Sequence, residues 1–152
     1  MLEEYRDNWT SAAMLLREMA QPTNTVATTA IGIIPYYSDL PTMDLCGLIA
    51  TDLDKYRRRG DTRRPGYSLS IKPERFFSQP PHFLLGHPLV ETLDQARFSS
   101  GTLHDNKPIP LQHYLPVSMP IPGEPDRHLF FFLRRDIVSR YADRIYIHKL
   151  RL

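Results

Sequence analysis

Asp44 is the residue of this chain that is best placed to do chemistry. It lies near the carboxyl end of a short predicted strand, residues 42–45, which follows a β-branched segment across a turn at Gly32. Sheets of the α/β class form their ligand crevices at such strand ends, and a carboxylate there can accept sugar hydroxyls, bind a cation or act as a base. A structural role is the alternative, in which Asp44 caps the following loop by accepting backbone N–H groups. The sequence leaves both interpretations open.

Tyr36 and Tyr37 follow the Gly32 turn, at the start of a short predicted helix. Adjacent side chains on a helix point in different directions, so we expect one ring in the core and the other exposed. An exposed ring beside Asp44 would suit a sugar, because the apolar face of the sugar stacks on the ring while its hydroxyls take hydrogen bonds. The pair is therefore a candidate for substrate binding.

Positive charge is concentrated in residues 55–64, which read KYRRRGDTRR and carry a local charge of +5, whereas the whole chain carries +2. The candidate anion-binding residues are Lys55, Arg57, Arg58, Arg59 and Arg63. Such a patch can bind the phosphate of a lipid-linked donor or face an anionic membrane surface. The alternative is a solvated helix end whose cations favour the helix dipole. Nucleic acid is not an expected partner, because no stacking motif or recognised module accompanies the charge.

The sequence shows no pattern for common metal or cofactor chemistry. Its six histidines and single cysteine, Cys46, have no metal-ligand spacing, and neither a nucleophile elbow nor a phosphate-binding or dinucleotide-binding glycine motif occurs. We therefore expect no metal and no cofactor. Cys46 is flanked by Leu45 and Leu48, so we expect it to be a small buried residue.

Residues 32–38 (GIIPYYS) and 41–48 (PTMDLCGL) carry a family resemblance. Together they resemble the G-x-x-P-Y-Y-S and P-T-x-D-x-x-G-L stretch in the soluble C-terminal region of bacterial multi-spanning membrane glycosyltransferases. Those enzymes use polyprenyl-phosphate sugars and include arabinofuranosyltransferase-like proteins. The similarity continues in patches at residues 80–85, 113–114 and 127–135. At residues 64–67 many relatives have Pro-Gly-His, so Tyr67 departs from the family pattern.

The resemblance implies an extracytoplasmic, or periplasmic, accessory domain that binds or positions an acceptor glycan or a lipid-linked sugar donor. In such enzymes the catalytic carboxylate is expected in the membrane part, so this domain alone should not transfer sugar. Asp44, the two tyrosines, Arg64 and Tyr67 would line the binding edge. The implied partners are the transmembrane part of the same parent protein, a glycan or polyprenyl-phosphate sugar, and the anionic membrane surface.

Two other classes of protein stay open. One is a free-standing small α/β enzyme that uses Asp44 with a histidine as acid and base, and which is cytoplasmic if Met1 is the true start. The other is a protein-interaction domain, which predicts an exposed apolar patch around the first helix. No apolar run approaches the roughly 20 residues that a membrane-spanning helix needs, and no signal-peptide pattern begins the chain.

The sequence predicts that these residues are positioned by the elements of a single α/β domain over residues 1–152. An amphipathic lead-in helix is expected at 1–21, and a long irregular loop at 86–111. Three parallel strands are expected at 25–31, 42–45 and 82–85, the first two forming a βαβ unit. Helices are expected at 51–59 and 72–78, the latter with Phe76 and Phe77 inward, and an antiparallel hairpin at 112–119 and 128–134. A short helix to Tyr141 and an edge strand at 145–150 complete a three-layer α/β/α sandwich with a small mixed sheet.

Overall fold

The computed structural model describes residues 2–49, 56–58, 69–98 and 112–150. Its helices are α1 (Leu2–Met19), α2 (Ile33–Ser38) and α3 (Pro73–Ser78). The strands are β1 (Val26–Thr28), β2 (Thr42–Asp44), β3 (Tyr56–Arg58), β4 (Leu69–Ile71), β5 (Phe83–Glu91), β6 (Tyr114–Ile121), β7 (Glu124–Arg134) and β8 (Tyr146–Ile147). In the described ranges, 3-10 helices span Leu93–Gln95 and Arg135–Tyr141. Six of the described strands form a mixed sheet in the order β2-β1-β5-β7-β6-β8, so the predicted α/β class is confirmed.

The parallel part of the sheet has β1 at its centre. Val26 pairs with Thr42 of β2 and with Phe83 of β5, both in parallel register. All three residues of β1 are buried, as its small and β-branched composition predicts for a strand covered on both faces. Between β1 and β2, α2 ends at Asp39, which adopts a left-handed conformation (φ 57°) and donates its N–H to the Pro35 carbonyl at 3.0 Å. The predicted βαβ unit is therefore present.

The antiparallel part is built around β7, which pairs with β5 on one side and β6 on the other. The predicted hairpin is confirmed and is longer than expected, because Gly123 (φ 80°) closes a tight turn and lets residues 120–121 and 124–127 join the strands. The expected edge strand is shorter, with only Tyr146–Ile147 paired to β6. The last predicted helix is the 3-10 helix that ends at Tyr141.

Helices cover both faces of the sheet. On one face, α1 and α2 close a first core through residues that include Leu16, Ile34 and Phe131. On the other face, Phe76 of α3 and Ile71 of β4 close a second core with Tyr114 and Phe132. The side chains of β7 alternate between these cores, because successive residues of a strand point to opposite faces.

Three local expectations were wrong. Residues 56–58 were expected in a helix, but they form β3, whose Tyr56 pairs with Ile71; this pairing spans 15 positions, so local helix signals do not reveal it. Residues 86–91 were expected in a loop, but they continue β5 past an irregularity between Leu84 and Leu89, which breaks the alternation of a regular strand. Phe77 faces outward, because the six-residue α3 buries only one of its two adjacent rings. The remainder of the predicted helix and of the predicted loop lies outside the described part of the chain, at residues 51–55, 59 and 99–111.

Within the described ranges, no helix has both the length and the apolar character needed to cross a membrane.

Candidate functional site

The carboxylate of Asp44 is buried at the end of β2, with 5% of the residue exposed. Its Oδ1 accepts the N–H groups of Cys46 and Gly47, both at 2.9 Å, and its Oδ2 accepts the N–H of Ile49 at 2.9 Å. Gly47 takes a left-handed conformation (φ 69°), which a glycine adopts without steric cost. These are the hydrogen bonds of the loop-capping alternative, and they fix loop 45–49 from within.

The loop that Asp44 organises presents apolar side chains outward. Leu48 and Ile49 are exposed, whereas Cys46 is buried, as expected. The Leu45 N–H donates to the Thr28 carbonyl at 3.1 Å, and the Leu45 carbonyl accepts the N–H of Ile71 at 3.3 Å. The loop is therefore tied both to β1 and to the ribbon of β3 and β4.

Tyr36 and Tyr37 both lie on the outer side of α2. Tyr36 is 77% exposed and Tyr37 is 38% exposed, and their rings meet edge to face with centroids 4.9 Å apart. The expectation that one ring enters the core was wrong, because α2 buries Ile34 and Ser38 instead, one helical turn apart. The structure thus offers an exposed aromatic pair and a buried carboxylate, two groups with very different access to a ligand.

The basic run is only partly described. Arg57 and Arg58 belong to β3, so the interpretation of these cations as a helix end was wrong at those two positions. Arg64 and Tyr67, as well as Lys55, Arg59 and Arg63, lie outside the described residues. Anion binding by this run stays a prediction.

A cleft of about 370 Å³, which the sequence did not indicate, lies where β5 and β6 begin and β7 ends. We call it the Arg134 cleft; its lining is Phe76, Phe77, Pro80, Gln112, His113, Tyr114, Arg134, Arg135 and Asp136. Three separate segments of the chain contribute these residues. The local signal is the charged triplet of residues 134–136 at the end of the closing strand, and it does not reveal the partners that the fold brings to it.

Arg134 is held by a network of hydrogen bonds in this cleft. Its Nε and Nη2 donate to Oδ1 and Oδ2 of Asp136 at 2.7 and 2.9 Å, and its Nη1 donates to the Pro80 carbonyl at 2.7 Å. The hydrogen bond from Arg134 lowers the pKa of Asp136, and the same bond raises the pKa of Arg134. Nearby, the buried Tyr114 hydroxyl donates to the Pro81 carbonyl at 2.7 Å, and burial raises the pKa of Tyr114. The polar side of the cleft is therefore fixed in place.

A second polar group lies on the same face of the sheet. Ser118 Oγ and His148 Nε2 are 2.8 Å apart, and the ring of His128 meets that of Tyr146 at 5.4 Å. Burial lowers the pKa of His128, and burial followed by the charge of His128 lowers the pKa of His148. A serine beside a histidine is the arrangement of an activated nucleophile, but Ser118 is fully buried and cannot reach a substrate in this conformation. In the part of the chain that the structure describes, no three His, Cys, Asp or Glu side chains are grouped to hold a metal ion.

The chain is an α/β domain with a mixed sheet, and it carries the exposed tyrosine pair and the Arg134 cleft. The chain belongs to the family described as Domain of unknown function (DUF8728), whose family model matches residues 2–132. Comparisons with curated proteins and with solved structures find no match.

We predict that Asp44→Asn lowers the free energy of unfolding by about 1–3 kcal/mol. An amide has one acceptor oxygen, whereas the carboxylate uses both of its oxygens to accept three N–H groups. Urea unfolding of the variant and of the unchanged chain measures the loss, with Asp39→Asn on the left-handed cap as the control. An unchanged free energy of unfolding would show that the three hydrogen bonds do not hold the loop.

Acidification should destabilise the fold in the range just below pH 6.5. Burial lowers the pKa of His82, His87, His128 and His148 from the ordinary value of 6.5. Around and below that pH the unfolded chain binds more protons than the folded chain, so stability falls as the pH falls; well above it the four histidines contribute no pH dependence. Urea unfolding at several pH values measures this slope, and His128→Phe should reduce it. A free energy of unfolding that stays constant or rises on acidification from pH 7 to about 5 would contradict the prediction.

Proposed function

We propose that this chain is an accessory domain of a membrane glycosyltransferase-like protein, on the extracytoplasmic side of the cell membrane. It helps to bind or position an acceptor glycan or a lipid-linked sugar donor, and it does not catalyse transfer by itself. Its main partner is the transmembrane part of the same parent protein. The observation that carries the proposal is the exposed Tyr36–Tyr37 pair, which lies in the segment with the family resemblance.

The position of the pair in the fold supports a binding role. Ile34 anchors α2 in the first core, and α1 packs beside it. Exposing two aromatic rings on so short a helix forgoes hydrophobic burial, and exposed aromatic rings are common at recognition surfaces. A sugar ring can stack on Tyr36 while the phenol hydroxyls of the pair take part in hydrogen bonds. The tyrosines therefore supply both kinds of contact that a carbohydrate needs.

The state of Asp44 supports a role that is not catalytic. A general base must come within hydrogen-bond reach of the proton that it takes. Asp44 is buried and receives three backbone N–H groups, so reaching a substrate would require loop 45–49 to open. The alternative of a small enzyme built on Asp44 and a histidine thus requires a rearrangement of the loop. The binding proposal rests on the tyrosine pair and leaves the loop unchanged.

A protein-interaction domain is the second candidate, and one observation favours it. A groove of about 470 Å³ runs along the outer side of α1, and Met14 lies exposed in it beside Ile121 and Pro122 of the hairpin. Met14 gives the first helix part of the exposed apolar patch that an interaction domain predicts, and Thr10, Ser11, Arg17 and Glu18 also line the groove. The partner would be another part of the same assembly, so this role can accompany carbohydrate positioning.

We predict that the chain binds short oligosaccharides and that Tyr36→Ala weakens this binding roughly five- to tenfold, because the stacked ring contributes about 1 kcal/mol or more. Saturation-transfer difference NMR against short oligosaccharides and polyprenyl-phosphate headgroup analogues measures the affinity. Tyr146→Ala is the matched control, since Tyr146 is another exposed tyrosine that lies on β8. Tyr36→Phe should keep most of the affinity.

Two results would contradict the proposal. Absence of saturable binding across the panel would leave partner docking as the better account. Sugar transfer by the isolated chain, abolished by Asp44→Asn in a folded variant, would identify an enzyme.

A further inference from the structure

The Arg134 cleft combines an exposed aromatic ring with a fixed polar edge. Phe77 is 49% exposed, and its neighbour Phe76 is fully buried against Tyr114, with ring centroids 6.0 Å apart. The rings of Phe76 and Phe77 meet edge to face at 5.6 Å. Phe77 is thus an apolar platform supported from below by the second core.

The polar edge is the pair of Arg134 and Asp136. Arg134 has five N–H donors, and three of them are used, two by Asp136 and one by the Pro80 carbonyl. Among the described residues, the other two N–H groups have no hydrogen-bond partner. A carboxylate has about four acceptor positions, and Arg134 occupies two of those on Asp136. The Asp136 side chain is 59% exposed, so its outer lone pairs face solvent.

The ion pair presents donors and acceptors side by side while its two charges cancel. Because Asp136 neutralises Arg134, this edge does not demand an ionic ligand, and it matches groups that both donate and accept. A hydroxyl does both. Neighbouring hydroxyls on one carbon ring could meet the carboxylate and the guanidinium together, with the C–H face of that ring on Phe77.

The size of the cleft limits the ligand. A volume of about 370 Å³ lies near the low end of the roughly 300–1,000 Å³ that is typical of small-molecule sites. The cleft is also open to solvent along Gln112 and His113, both exposed. It therefore suits one or two sugar rings at the end of a longer molecule.

We propose that the Arg134 cleft is a binding site for a neutral saccharide, in which a sugar ring stacks on Phe77 and its vicinal hydroxyls bind Asp136 and Arg134. This site is separate from the tyrosine pair. The cleft belongs to the face of the sheet that Phe76 and Tyr114 cover, whereas Ile34 anchors α2 on the opposite face. The inference rests on the chemistry of the cleft and goes beyond the function proposed above.

The test is a titration of the whole chain with methyl glycosides of common hexoses and pentoses, followed by two-dimensional amide NMR. We expect saturable shifts at residues 112–114 and 134–136 for at least one glycoside. Phe77→Ala should weaken that binding at least fivefold and Asp136→Asn should weaken it as well, whereas Phe77→Tyr and the distant Leu93→Ala should not. Because Phe77 is half exposed, its removal should leave the fold intact, and Phe77→Leu provides a second variant without a ring.

The outcomes separate this proposal from the previous one. Cleft shifts that persist in Tyr36→Ala and disappear in the folded Phe77 variants support a saccharide site here. Shifts confined to α2 would overturn the cleft proposal and leave the tyrosine pair standing. Cleft shifts with inorganic phosphate but with no glycoside would identify an anion site and overturn it too, as would glycoside binding that both Phe77→Ala and Phe77→Leu leave unchanged.

Discussion

Burial of β7 on both faces is the constraint on which the rest of the structure depends. The side chains of its residues 129–133 are almost completely inaccessible to solvent, and the backbone of the strand pairs with both flanking strands. Phe131 and Leu133 support the first core, under α1 and α2, and Phe132 supports the second, next to Phe76. Apolar side chains dominate such a strand, because burial of apolar surface contributes about 25 cal/mol of hydrophobic stabilisation per Å². Both proposed binding surfaces depend on it, because α2 is anchored in one core and Arg134 is the last residue of the strand.

Around this strand, hydrogen-bonded polar groups organise loops and exposed aromatic rings face solvent. Asp44 receives three N–H groups and shapes the loop after β2, and Arg134 joins the end of β7 to Pro80 and Asp136. Tyr36 and Phe77 have the opposite character, because each projects from a short helix whose other side is buried. The sheet ends at β2 and β8, which are three and two residues long, and strands that short offer little edge for pairing with another chain. Recognition through side chains therefore fits this fold better than recognition through sheet edges.

The sequence predicts the elements whose signals are local. The β-branched run of β1, the proline in α2 and the hairpin of β6 and β7 each carry their own pattern, and the structure confirms them. The continuation of β5 was missed because its irregular region interrupts the alternation, and β3 was missed because only its distant partner β4 makes it a strand. The Arg134 cleft could not be predicted, since three segments meet there only after folding. Asp44 was found by its position at a strand end, but sequence could not decide between a ligand and a loop cap. The DUF8728 family model covers residues 2–132, and its description assigns no chemistry to these residues.

The central claim is that ligand binds the exposed aromatic surface while Asp44 keeps its backbone partners. It is tested most directly by following the backbone amides of the unmodified chain as an oligosaccharide is added. The account predicts shifts in α2, around Tyr36 and Tyr37, with the amides of Cys46, Gly47 and Ile49 unchanged because their hydrogen bonds to Asp44 persist. Largest shifts at those three amides would contradict it, because they would mean that Asp44 exchanges its loop for the ligand.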